Sequence, residues 1–338
     1  MMRRVASIAI LCVTSLWVDA QDVHFSEFYA TPLFTNPALA GHFEGTYRFS
    51  GIIRRQWASV SAEPYQTFGG GVDMNKPLNI KNSGIGLRLL HDHAGLSYWT
   101  NNGVDIPLSY KFRIGAAKNL TLGLGAQLGI FQISYDLSKL SFDDQFNGIK
   151  YDPEAPTSER ISGQSVTKLN FGAGAYLEKR ISERKRIGIG FSRFNLTQPN
   201  ISVFASAESR LAARNNLHLF TSIPLGSSPF DLMPAAQYQT QGKQRELLVG
   251  SALRMHLLSS EDEQKSVQIG VWGRTKDAGY VSVGLQQNNL FLGASYDFNL
   301  SQLKTASERW GGWEFSIIYI ISTVREKTNR VRQCPDFL

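Results

Sequence analysis

The sequence predicts an all-β protein: a transmembrane antiparallel β-barrel of fourteen strands with a non-strand N-terminal segment and a C-terminal tail. Three observations lead there. Apolar residues alternate with glycine or polar ones in segment after segment between Tyr47 and Ile321, several segments reach ten residues, and glycines collect on the non-apolar face. Successive side chains in a strand point to opposite faces, so the alternation makes one face greasy and leaves the other small or polar. Ten residues suffice for a tilted strand to cross a bilayer, whereas soluble strands run to about five or six. Glycines on a water-facing sheet would cost entropy without return; on a lumen face they leave room for a plug, a folded-in tail or a ligand. A soluble β-sandwich is the competing architecture. Barrel closure is favoured because it satisfies every strand's backbone groups, as hydrocarbon requires.

Residues 1–20 read as a signal peptide. Arg3 and Arg4 are followed by an apolar run from Val5 to Val18, and Val18-Asp19-Ala20 suits cleavage before Gln21. Cys12 lies inside the apolar run behind a bulky Leu11, which argues against a lipoprotein. Cleavage would leave Cys334 alone of the two cysteines, so no intramolecular disulfide would staple the exported domain.

Residues 21–45 form a segment poor in strand pattern. Phe25, Phe28 and Tyr29 supply aromatic anchors, Pro32 and Pro37 oppose regular pairing, and Gly41 releases the chain toward the first strand. Such a piece is suited to plug the lumen or to pack beneath it. The barrel follows over 46–322, with strands expected at 46–57, 65–75, 83–92, 100–113, 119–135, 165–179, 185–195, 211–223, 230–240, 246–257, 265–274, 279–287, 290–298 and 312–322. An even number lets both ends of the barrel lie on the periplasmic side. In the clearest stretch, Leu122, Leu124, Ala126, Leu128 and Ile130 interleave with Thr121, Gly123, Gly125, Gln127 and Gly129. Val104, Ile106, Leu108, Tyr110 and Phe112 repeat the pattern opposite Asp105, Pro107, Ser109 and Lys111. Trp57, Tyr65, Trp99, Tyr110, Trp272, Tyr280, Tyr296, Trp310 and Trp313 fall near strand ends, where interfacial girdles form.

The longest connection, Lys139 to Gln164, carries the Asp152-Pro153-Glu154-Ala155-Pro156 run and is suited to cover an opening or meet a protein partner. A second, Gln198 to Arg210, is rich in Ser and Ala and could hold a short helix. The last part, 323–338, is a basic tail with Arg325, Lys327, Arg330 and Arg332, suited to the periplasm or the lumen.

Composition narrows the function classes. The formal charge is +7, and cleavage after Ala20 would lower it to +6 by removing two arginines and one aspartate. Basic residues are scattered over many strands and loops, so no nucleic-acid partner is expected. His91 and His93 share a face around Asp92 but lack a third ligand, and Asp143-Asp144 lacks calcium-loop spacing. His218 and His256 have no serine and acid brought to them by sequence, so neither an enzyme nor a cofactor is expected.

The segment from Asp22 to Gly41, with Asn36-Pro37-Ala38 and Ala40-Gly41, resembles the opening of the PorP/SprF family of Bacteroidota outer-membrane proteins. Arg54-Arg55-Gln56-Trp57 and Pro64-Tyr65-Gln66-Thr67 are similar to its first strand and hairpin. Cys334-Pro335-Asp336-Phe337 resembles its Cys-Pro-x-Phe ending, with Leu338 as an added residue. The resemblance implies a bacterial outer-membrane barrel of type IX secretion. It would support export or surface attachment of a large adhesin-like protein and, in some members, gliding motility. Implied partners are outer-membrane lipid, the secreted adhesin-like protein and a periplasmic peptidoglycan-binding lipoprotein. Partner contact or a structural role would fall on Asn36, Pro37, Cys334, Pro335 and Phe337. A passive porin or apolar-solute transporter is the alternative from a different class.

Overall fold

A computed structural model of the chain describes residues 22–56, 63–95, 99–136, 143–152, 154–156, 158, 163–203, 208–259, 263–275, 278–300 and 310–322. Among them, fourteen antiparallel strands close into one barrel in which every strand pairs with its sequence neighbour and β1 pairs with β14. The first seven are β1 (Tyr47–Gln56), β2 (Tyr65–Asn75), β3 (Ser83–Ala94), β4 (Trp99–Ile114), β5 (Leu120–Ser134), β6 (Ser165–Arg180) and β7 (Arg186–Phe194). The second seven are β8 (Arg214–Pro224), β9 (Phe230–Gln241), β10 (Gln244–Ser259), β11 (Gln264–Arg274), β12 (Ala278–Gln287), β13 (Leu290–Asn299) and β14 (Trp310–Ile321). Each strand is nine residues or longer, which a tilted crossing of hydrocarbon needs.

The burial pattern is that of a barrel in lipid. Val104, Ile106, Leu108, Tyr110 and Phe112 of β4 point outward and are exposed, while Asp105 and Ser109 between them are buried in the lumen. Phe315, Ile317 and Tyr319 of β14 are outward and exposed, with Glu314 and Ser316 inward and buried. A water-soluble sheet would show the reverse, so the apolar face is the lipid face.

Strand bounds agree with expectation to within a few residues. The largest shift is at β8, which starts at Arg214 rather than 211. Leu211 instead packs inward against Phe131, Ile133 and Ile201 and donates its N–H to the Pro199 carbonyl at 3.0 Å. The girdle expectation divides. Tyr110, Tyr296 and Trp313 face outward, but Trp272 and Tyr280 are buried in the lumen, and Trp99 packs against the cluster of Phe131 and Ile133. Position near a strand end does not settle face; register does. Trp57 and the Trp310 side chain lie outside the described residues.

Two prolines open gaps in the ladder. β3–β4 pairing passes from Ile85↔Leu108 to Arg88↔Asp105, skipping Pro107, and β8–β9 pairing passes from Phe220↔Ala235 to Ile223↔Leu232 around Pro234. Proline has no N–H to give a neighbouring strand.

The two rims differ. One carries the connections at 76–82, 115–119, 181–185, 225–229, 260–263 and 288–289, together with the start of β1 and the end of β14. The other carries 135–164 and 195–213, the longest connections of the barrel. Short turns with both barrel ends mark the periplasmic rim, and long loops mark the outer rim.

Candidate functional site

Residues 22–45 run through the lumen from the outer rim to the periplasmic rim. At the outer rim, Asp22 donates its backbone N–H to Gln241 Oε1 at 2.7 Å and accepts from Asn195 Nδ2 at 2.7 Å. At the periplasmic rim, Thr46 donates its backbone N–H to the Ile321 carbonyl at 2.8 Å as β1 begins. Between these ends the segment makes a turn at Phe28–Ala30, one helical turn at Pro32–Thr35 and a tight turn at Pro37–Leu39. Prolines at the first positions of the last two suit helical starts, because the missing N–H would have had no partner there. Asn36 caps the third by accepting from the Ala38 N–H at 2.9 Å.

Buried charge clamps the upper half. Ser26 and Glu27 donate their backbone N–H groups to the two oxygens of Glu314 at 2.8 and 2.9 Å. Arg54 Nη1 donates to Glu314 Oε1 at 2.5 Å and to the His24 carbonyl at 3.0 Å. Arg274 bridges Ser26 Oγ and Asp297 Oδ2 at 2.5 and 3.3 Å, and Tyr280 Oη donates to the Ser26 carbonyl at 2.6 Å. Arg54 and Glu314 are 2% and 1% exposed. Arg54 and Arg274 face the two carboxylates of Asp297 and Glu314, a balance that buried ions require.

The lower half rests on smaller contacts. Arg48 binds Asp73 through Nε and Nη2 at 2.9 and 2.7 Å, and Asp73 also accepts the Gly41 N–H at 2.6 Å. Arg88 pairs with Asp105, and its guanidinium lies 4.9 Å over the Phe34 ring. Asn36 Nδ2 donates to the carbonyls of Ala175 and Phe191 at 2.9 and 3.2 Å, which fastens the segment to β6 and β7. Lumen glycines make the room. A Cβ on Gly84 would collide with the Ala40 carbonyl, and one on Gly125 with the backbone of Ala38. Gly41 is required twice over: its φ is +65°, and a Cβ there would meet the Gly84 Cα and the Met74 carbonyl at 2.8 Å.

Asn36 and Pro37 are thus buried among lumen residues. Cys334, Pro335 and Phe337 lie outside the described residues, as do 1–21 and the rest of the tail. His91 and His93 share the outward face, as alternation predicts, and hydrogen-bond to Asn102 and Thr100. His218 is buried with its ring stacked on Tyr176, and His256 pairs with Asp231 at 2.6 Å. Among the described residues no group of three or more His, Cys, Asp or Glu could hold a metal ion. Sequence reading missed the clamp. Its partners stand up to 288 residues apart, and the signal was a charged residue at an inward register position: Arg54, Arg274, Asp297 and Glu314.

Residues 18–319 match the family described as type IX secretion system membrane protein PorP/SprF. The chain belongs to that family. A PorP/SprF protein is a membrane component of a secretion system rather than a catalyst, and this one is an outer-membrane barrel associated with type IX secretion. No curated protein matches the sequence. Solved structures align with the chain at low identity. The P. putida toluene transporter TodX aligns with TM-score 0.50 and 9% identity, over 88% of this chain and 94% of that one. The CymD monoaromatic hydrocarbon channel aligns with TM-score 0.48 and 10% identity, over 87% and 93%. CdiB from Acinetobacter baumannii aligns with TM-score 0.42 and 12% identity, over 81% and 60%.

Proposed function

We propose that the PorP/SprF barrel is a plugged outer-membrane receptor that supports export or surface attachment of a large adhesin-like protein, with a link to gliding motility. After removal of 1–20, residues 21–45 act as the plug, 46–322 as the membrane anchor, and 323–338 as a tail for a periplasmic peptidoglycan-binding lipoprotein. Asn36 and Pro37 shape the plug, while Cys334, Pro335 and Phe337 serve contact with a partner.

The observation that carries this reading is the lumen segment fixed from rim to rim by buried ion pairs. A passive porin or apolar-solute transporter needs an open path, and the clamp works against one. Further support comes from the outer loop. Phe146 and Tyr151 bridge a small hairpin whose tip residue Ile149 is 91% exposed, an apolar contact point above the membrane.

Copurification from gently solubilised outer membranes tests the proposal. A secreted surface protein is expected to come down with the barrel, and deletion of the barrel to strip that protein from the cell surface. No stable partner, together with an unchanged surface-protein profile after deletion, would sink it.

A further inference from the structure

The lumen segment leaves part of the barrel unfilled. Between it and the wall formed by β6–β14 lies a cavity of about 280 Å³, near the lower end of the size of ligand pockets. It borders a wider vestibule of about 750 Å³ at the periplasmic rim, with His42, Glu178 and Arg186 lining both. One wall is apolar, built from Tyr29, Phe220, Met233, Trp272 and Phe291. The other carries Arg254 and Arg186.

The carboxylates near these two cations, Asp231 and Glu178, are shared with other groups. Asp231, cross-strand from Arg254, is already held by Arg184 at 2.6 and 2.9 Å and by His256 at 2.6 Å. Glu178 is held by His42 at 3.3 Å. Arg254 has one neutral partner, Gln268 Oε1 at 3.2 Å, and its buried Nε has none. A guanidinium beside an apolar wall with its neighbouring carboxylates committed elsewhere is costly to the fold unless an anion completes it.

We propose that this cavity binds an apolar carboxylic acid, with the carboxylate between Arg254 and Arg186 and the aromatic or aliphatic body against Phe220 and Trp272. The site stands independently of the receptor reading, since it needs only the cavity and its two arginines. A free acid and a carboxylate at the end of a polypeptide share this chemistry.

The test uses the full barrel in a non-ionic detergent, with binding of 1-naphthylacetate and N-acetyl-leucyl-phenylalanine each compared with its neutral amide by calorimetry. At least one acid is expected to bind about tenfold more tightly than its amide, the scale of a charge-assisted contact. The tighter of the two acids identifies the source as free acid or polypeptide end. Arg254→Gln is expected to erase the preference for acid while leaving amide affinity unchanged, and Arg254→Lys to restore part of it. Arg186→Gln, at an exposed side chain, provides the same readout should Arg254→Gln fail to assemble. Equal affinity for acid and amide, no binding of either acid, or an acid preference that survives both glutamine variants would overturn the proposal.

Discussion

Arg54 and Glu314 meet at 2.5 Å inside the lumen, and the same carboxylate takes the backbone N–H groups of Ser26 and Glu27. Removing one charge from such a set strands the other, which costs about 3–5 kcal/mol. Glu314→Gln is therefore expected to lower the temperature at which the folded, heat-modifiable band disappears on a gel, because Arg54 loses its charge partner.

Secondary-structure elements divide into those that announce themselves and those that do not. Strands such as β4 and β5 were legible because alternation of large apolar and small residues reports a lipid face directly. The path of 22–45 was not, since it depends on which inward glycines line up: Gly84 beneath Ala40, Gly125 beneath Ala38 and Gly174 beneath Asn36. Sequence reading did place room in the lumen, from glycines on the non-apolar face. It could not say what fills that room, because the contacts join residues from opposite ends of the chain. Gly125→Leu is expected to push the 36–41 turn off β5 and to expose the segment to protease in purified barrels, with the strand content by circular dichroism preserved. The outer hairpin gives a separate prediction. Ile149→Asp should abolish copurification of the surface partner without altering heat-modifiable mobility, since the side chain is exposed and packs on nothing the barrel needs.

At the scale of the molecule, closure of β1 onto β14 and the lumen segment are coupled. Arg54 of β1, Glu314 of β14 and Asp297 of β13 hold both the seam strands and Ser26. The residues that bridge the seam strands from inside also hold the plug, so the intact barrel has a blocked lumen. Conductance across a planar lipid bilayer tests this most directly. The full barrel is expected to insert without steady current, and Arg54→Ala with Glu314→Ala, which frees the segment, to introduce current steps. A steady ohmic current from the intact chain, equal to that of the variant, would contradict it.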